Sequence, residues 1–353
     1  MNNKKIKLFL GGFINITNAQ NLNCLAVAKY IDKSKYKVYT MAFEKGDYEL
    51  SGLPGVTVWK ARLPYRLYKY IIWLRAVMVC DILYLPKGEV PEYTAFWKKL
   101  FGKKSFSTVE GVYSGSNYDN LIKAYGSEKK AVDIRKLFDK DFSITSFMHI
   151  YNEKRLNMCS DGILHLGIDI DAFQNGIKRD KLTDIILIGN NLKYKGIEDY
   201  FEMAKSFPDL NFHIAGGGGN YDIATEAAKR NLSNIILHGS LSHSRLSELL
   251  KNMQLMFFPS RSEGFPKVTL ECAAAGVPSV VYNDYGADEW ITTGKDGFVV
   301  KTFDEAKRVI EELKSNPDRL KELSVNAMKL GQSFDWKIII KEWEAEIDKL
   351  AAI

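Results

Sequence analysis

The chain is poor in residues that would mark a disulfide-stapled, metal-binding or membrane-spanning protein. Its four cysteines, Cys24, Cys80, Cys159 and Cys272, lie far apart with no Cys-x-x-Cys pair. That spacing excludes a disulfide framework or cysteine zinc site and leaves each as a small core hydrophobe among apolar residues. No uncharged apolar run reaches membrane-spanning length, because the nearest, Tyr70 to Leu85, contains Arg75 and Asp81. The N-terminal lysines precede only a short apolar stretch, Ile6 to Leu10, and Gly11-Gly12 follows without a small-residue cleavage site. No secretory signal is expected, and a cytoplasmic location is. His165 has no metal-ligand or triad partner nearby and reads as a loop or core histidine.

Nothing in the composition suggests disorder: 46% apolar and 26% charged residues is ordinary globular usage, and 353 residues suit two domains with a core each. The net charge of +6 hides an asymmetry, since residues 1–175 hold 26 Lys and Arg against 17 Asp and Glu, and residues 176–353 hold 23 against 26. A basic first half fits an anionic surface or substrate there, or simply solvated helix faces. It is too little to indicate a nucleic-acid partner.

The most informative stretch runs from Pro259 to Pro278. The apolar run Leu255 to Phe258 ends in Pro-Ser, passes a loop with Gly264, and enters an Ala-rich helix that stops at Gly276-Val277-Pro278, before the strand Ser279 to Tyr282. Loops after parallel strands are where such sheets bind ligands. Glu263 precedes the helix and Glu271 lies inside it, while the amides of Phe265, Pro266, Lys267 and Val268 mark a helix start suited to an anion such as phosphate. Carboxylates beside an anion site fit a sugar phosphate, whose hydroxyls donate to ionised Glu while its phosphates lie on the helix N-terminus.

This Glu-x7-Glu spacing, within Pro-Ser-Arg-Ser-Glu-Gly-Phe-Pro and before Glu-Cys-Ala-Ala-Ala-Gly-Val-Pro, resembles the retaining glycosyltransferases of family four. The resemblance implies an α/β GT-B fold, two Rossmann-like domains facing across a cleft. It implies that Glu263 meets hydroxyls of the donor sugar and Glu271 the nucleotide ribose.

The first domain is expected over 1–175. Lys5 to Leu10 reads as a strand broken by Gly11-Gly12, followed by a helix from Thr17 or Asn18 to Ile31 that packs through Leu22, Leu25, Ala26, Ala28 and Tyr30. The paired glycines are a tight turn by themselves; by resemblance Gly12 contacts the donor diphosphate. Arg62, Arg66, Lys69 and Trp73 recur at helical spacing opposite Leu67, Tyr70, Ile71, Leu74 and Met78, and Lys98, Lys99, Lys103 and Lys104 follow. This pattern predicts either a cationic, aromatic face for an anionic membrane or solvated helix faces over an aromatic core. Ser105 to Val109 is a strand ending at Glu110-Gly111, where the family commonly has His-Gly; Glu110 is therefore a candidate catalytic carboxylate. Ser143 to Ser146 reads as a further strand. Ile163 to Phe173 resembles the family's segment before the interdomain linker.

The second domain, 176–335, opens with the strand Asp184 to Ile188 and the loop Gly189 to Gly196. The family usually clamps the diphosphate here with an Arg and a Lys; Lys195 matches the Lys, and Asn190 stands at the Arg position. Asn211 to Ala215 with Gly216 to Gly219, and Ile235 to His238, give further strands and loops that approach the base by resemblance. Helices are expected over Asp304–Lys314 and Asp318–Leu330, and a last one, 336–353, returns to the first domain.

The reading is a retaining transferase moving a sugar from a nucleotide diphosphate donor, a UDP-sugar, to a hydroxyl of a saccharide or polyprenyl-linked saccharide in cell-surface polysaccharide synthesis. Glu263, Lys195 and Glu110 are the catalytic candidates, with no metal required; Asp169-Ile170-Asp171 has metal-like spacing but falls at the linker. A GT-B protein that binds nucleotide sugar without turnover, or an epimerase of the same fold, is the alternative.

Overall fold

The computed structural model describes residues 5–16, 18–46, 53–62, 64–86, 91–174, 179, 181–217, 219 and 221–352. Thr17, Gly218, the junction near residue 175 and the side chain of Arg66, on which expectations fell, lie outside them. The chain divides into two units, residues 1–166 with 336–353, and residues 167–335.

Unit 1 is a parallel sheet of β1 (Ile6–Phe13), β2 (Tyr36–Phe43), β3 (Val56–Ala61), β4 (Ile82–Tyr84), β5 (Lys104–Val109) and β6 (Lys140–Ser143), in the order β3-β2-β1-β4-β5-β6. Its helices are α1 (Ala19–Tyr30), α2 (Tyr65–Val79), α3 (Pro91–Leu100), α4 (Gly115–Tyr125), α5 (Glu128–Arg135) and α6 (Ser146–Leu156). Unit 2 repeats the plan with β7 (Asp184–Ile188), β8 (Asn211–Ala215), β9 (Ile235–Gly239), β10 (Leu255–Phe258), β11 (Ser279–Tyr282) and β12 (Phe298–Val300), ordered β12-β11-β10-β7-β8-β9. Its helices are α7 (Ile197–Ser206), α8 (Ile223–Lys229), α9 (His243–Leu250), α10 (Lys267–Ala274), α11 (Phe303–Ser315) and α12 (Pro317–Ser333). Each sheet reverses its strand order between its first and fourth strands, β1/β4 and β7/β10. Such switch points open a crevice for ligands at the carboxyl ends of the strands.

The inner strands read as apolar runs because helices bury both sheet faces; β10, Leu-Met-Phe-Phe, is buried at every residue, whereas the edge strands β3 and β9 are partly exposed. The last helix, α13 (Trp336–Ala352), belongs to unit 1. Trp343 is wholly buried there and donates its indole N–H to the His165 carbonyl at 2.9 Å. Burying such a side chain contributes roughly 2–3 kcal/mol. The units divide at Leu166/Gly167, before the junction expected near 175, because Ile168 bridges to Asp335 and Ile170–Ala172 packs on α9.

Local details depart from the sequence expectation. β1 does not break at Gly11-Gly12; it runs on to Phe13, with the two glycines absorbing a register shift against β2. A Cβ on Gly11 would lie 2.9 Å from the Tyr84 carbonyl, and one on Gly12 would lie 2.8 Å from Cys24 Sγ, so the glycines admit close neighbours rather than end the strand. α1 buries Asn21, Asn23, Cys24, Val27 and Ala28 rather than Leu22, Leu25 and Ala26. The expected strand Ser143 to Ser146 is the end of β6 and the start of α6, whose cap is Thr145. Cys159 is exposed, whereas the other three cysteines are buried.

Candidate functional site

In unit 2 the loops after β7 and β10 touch backbone to backbone. Gly196, at φ 76°, caps α7, and a Cβ there would sit 2.1 Å from the Pro259 carbonyl. Only glycine permits that approach and that dihedral together. The contact places Lys195 beside Glu263: the ammonium donates to both carboxylate oxygens, at 2.6 and 2.7 Å. Ser260 Oγ also donates to Glu263 Oε1, and the carboxylate is 9% exposed. The pair holds opposite charges within one contact at the switch point. A diphosphate can recruit the ammonium, and sugar hydroxyls can donate to the carboxylate.

Glu271 is buried one helix turn and more along α10. Burial pushes its pKa up, and the charges of His243 and Lys267 oppose that shift. α10 begins at Lys267 with Pro266 as its cap, so the backbone N–H groups of Lys267 and Val268 belong to its first turn. Pro266 has no N–H to give. Phe265 packs edge-on against Trp290, with ring centroids 5.1 Å apart, and also against Phe334. The missing N–H of Pro266 narrows the expected four-residue amide cradle to Phe265, Lys267 and Val268. Asn190 is exposed just beyond β7, and no cation stands at that position. Asn191, at φ 59°, donates its N–H to the Gly217 carbonyl at 2.8 Å.

Two buried side chains near this loop carry no signal in the sequence. The Tyr285 hydroxyl and Trp290 indole N–H find no hydrogen-bond partner among the described residues. Burial, with the charge of Glu263 second, holds the Tyr285 phenol well above its ordinary pKa. Ser260 was equally silent, since its role depends on a loop turning back on itself.

In unit 1, Glu110 lies just past β5. Its Oε2 accepts from Asn23 Nδ2 at 3.1 Å and its Oε1 from Thr108 Oγ1 at 3.1 Å, and Thr108 in turn meets the buried Tyr84 hydroxyl at 2.8 Å. Asn21 on the same helix accepts from the Phe13 N–H at 3.0 Å and donates to the Ile16 carbonyl at 3.1 Å. The turn after β1, from Phe13 to Ile16, and Glu110 are thus both anchored on α1 by amide side chains that pattern reading passes over. A cavity of about 660 Å³ opens beside Glu110, lined also by Gln20, Tyr113, Asn117 and Asn120. Gly12 itself is buried in β1 rather than presented on a loop.

Trp73 does not join the cationic, aromatic face expected on α2; it lies in the core, as the alternative of solvated helix faces over an aromatic core has it. Trp73 is 4% exposed and packs in the core with Ile72, Ala76 and Val77, while Lys69 lies over its ring at 5.1 Å. Leu67, Tyr70, Ile71 and Met78, expected inside, are the residues exposed. Tryptophan fills the space under β3 that the aliphatic stripe was expected to fill; Trp59 of β3 lies in the same cluster. Arg62 is exposed, 3.9 Å from Glu44. No helix among the described residues is long and apolar enough to cross a membrane.

The chain matches 48% of its length to 46% of the alpha-galactosylglucosyldiacylglycerol synthase of Streptococcus pneumoniae, at 28% identity. It matches 51% of its length to 48% of a Campylobacter jejuni enzyme, N,N'-diacetylbacillosaminyl-diphospho-undecaprenol alpha-1,3-N-acetylgalactosaminyltransferase, also at 28% identity. It thus spans about half the length of these curated relatives. The structure of Anabaena HepE in complex with UDP-glucose superimposes with a TM-score of 0.78 at 15% identity, covering 98% of this chain and 100% of that one. The fold is GT-B. Residues 169–330, which carry Lys195, Glu263 and Glu271, match the family model described as glycosyl transferases group 1.

Proposed function

We propose that the protein is a retaining glycosyltransferase that moves a sugar from a nucleotide diphosphate donor, a UDP-sugar, to a hydroxyl of a saccharide or lipid-linked saccharide acceptor. The observation that carries the reading is the Lys195–Glu263 pair at the β7/β10 switch point, with Glu271 buried on the adjoining helix. The HepE complex holds UDP-glucose, and the C. jejuni relative acts on an undecaprenol-linked saccharide by its name, which supports the donor and acceptor classes.

In this reading the bond from the anomeric carbon to the diphosphate oxygen breaks with its electron pair going to the nucleotide. Lys195 and the first turn of α10 stabilise the charge that develops there, without a metal. The acceptor oxygen bonds to the anomeric carbon, and its proton passes to the departing phosphate. Glu263 orients the donor sugar through its hydroxyls, Glu271 accepts from the ribose, and Glu110 accepts from a sugar hydroxyl or balances charge at the oxocarbenium-like centre. Cell-surface saccharide synthesis is the setting that such an acceptor implies.

A thermal-shift panel of UDP-, GDP- and ADP-sugars tests this with wild type, Lys195→Ala and Glu271→Ala. A donor at a hundredfold excess over its dissociation constant should stabilise the wild type by about 2.7 kcal/mol and leave both variants unmoved. Stabilisation by no nucleotide sugar would refute the reading. The second reading, a donor-binding protein without turnover, draws on the neutral Asn190 at the diphosphate position. Donor binding without nucleotide release in the presence of any acceptor would favour it.

A further inference from the structure

α2 and α3 together turn an apolar surface outward. On α2, Leu67, Ile71 and Met78 are 56%, 50% and 53% exposed and recur at helical spacing. On α3, Phe96 and Leu100 are each 63% exposed, one turn apart, and Phe101 continues the stripe at 42%. The helices contact each other, and the rings of Tyr70 and Tyr93 meet edge to face at 5.3 Å, which joins the two stripes. Six such side chains expose on the order of several hundred Å², the size at which patches on soluble proteins mark an interaction surface.

The charge around the patch selects the partner. Of the cations on these helices, Lys98 is paired with Asp139 at 2.6 Å and Lys69 lies over the Trp73 ring, while Lys99 and Arg75 are exposed; the one carboxylate in their sequences, Glu92, lies in the first turn of α3. Lys99 is exposed beside Leu100, and Arg75 is exposed on α2, its guanidinium over the Trp59 ring at 4.7 Å. At 15 residues α2 is about 22 Å long, too short to span a bilayer but suited to lie in its surface. Apolar side chains at one level and cations at the rim are the chemistry of an anionic lipid interface.

We infer that the outward face of α2 and α3 docks this protein on an anionic bilayer, with Leu67, Ile71, Phe96 and Leu100 inserted and Lys99 among the phosphates. Docking would give the proposed acceptor reaction a membrane-borne substrate, and it rests on that reaction only for its purpose. The assay below contains no sugar, so each can fail alone.

The test is co-sedimentation of the whole chain with vesicles of phosphatidylcholine and phosphatidylglycerol in equal parts, against phosphatidylcholine alone. Wild type should pellet with the mixed vesicles only. Leu67→Ser, Ile71→Ser, Phe96→Ser and Leu100→Ser combined should reduce partitioning at least about tenfold, with cooperative unfolding and the circular dichroism spectrum retained because each side chain is at least half exposed. Lys99→Ser alone should cost about fivefold and flatten the salt dependence. Wild type remaining in the supernatant would overturn the inference, as would a fourfold variant that still pellets. A wild type that is dimeric by light scattering, and monomeric once the four residues are changed, would assign the face to a second copy instead.

Discussion

The two units share one strand order and differ in what their switch points hold. In unit 2 the β7 and β10 loops bring a lysine and a glutamate into contact, and a second carboxylate is buried on the next helix. In unit 1, the strand next to β4 carries two buried glycines, and the nearby carboxylate, Glu110, is held by the neutral Asn23 and Thr108. Identical topology therefore provides the same crevice twice, and the loops decide whether a carboxylate there meets a cation or neutral donors. That is why a fold by itself does not name a function.

The sharpest way to break this contrast is Gly196→Ala. The new Cβ meets the Pro259 carbonyl and forces a left-handed residue, so the β7 and β10 loops must part. A loss of about 3 kcal/mol in chemical denaturation and of all donor-induced stabilisation is expected. Gly12→Ala, its counterpart in unit 1, meets only the Cys24 and Asn21 side chains and should cost about half as much.

Lys195→Ala leaves Glu263 nearly buried with Ser260 as a donor but without a counterion. Because Lys195 keeps part of its surface in water, a stability loss of about 1–2 kcal/mol is expected rather than the full penalty of a buried pair. Glu263→Gln added to Lys195→Ala should recover part of that loss in a double-mutant cycle. Full additivity would mean that the two residues do not act as a pair.

Glu271→Gln should act in opposite directions on binding and stability. A buried carboxylate whose folded-state pKa lies above its unfolded value opposes folding, by nothing below the unfolded pKa, increasingly as pH rises from the unfolded to the folded pKa, and by a constant amount above it. The neutral variant should therefore be more stable at pH 8 by about 1 kcal/mol, match wild type near pH 4, and bind donor worse. Equal melting temperatures at both pH values would contradict the burial argument.

The smallest effect belongs to unit 1. Asn23→Ala removes a hydrogen bond to Glu110 and should cost about 1 kcal/mol without altering donor-induced stabilisation, since its role lies on the unit 1 side. If donor stabilisation fell as it does in Lys195→Ala, the division of labour between the units would be wrong.

Much of unit 2 was legible because its signals are local. The apolar runs, the glycines between them and the Pro-Ser-Arg-Ser-Glu-Gly-Phe-Pro loop each sit within a few residues, and the strands Asp184–Ile188 and Asn211–Ala215 have the expected limits. Helix α2 misled for the opposite reason. It is apolar around much of its circumference, so its periodicity does not say which side faces inward. Packing a tryptophan against β1 and β3 does.

The sequence alone determined the alternation of strands and helices, because each element's run or spacing of apolar residues and its glycine or proline boundary are local properties of the chain. It also singled out Lys195, Glu263 and Glu271. Only the tertiary structure decided that Lys195 and Glu263 touch, that Asn23 holds Glu110, and that α2 turns Leu67 and Ile71 rather than Trp73 to the surface. These are contacts between residues far apart in the chain, and their geometry is set by which backbones can approach closely, a property of the packed sheet that no single segment contains.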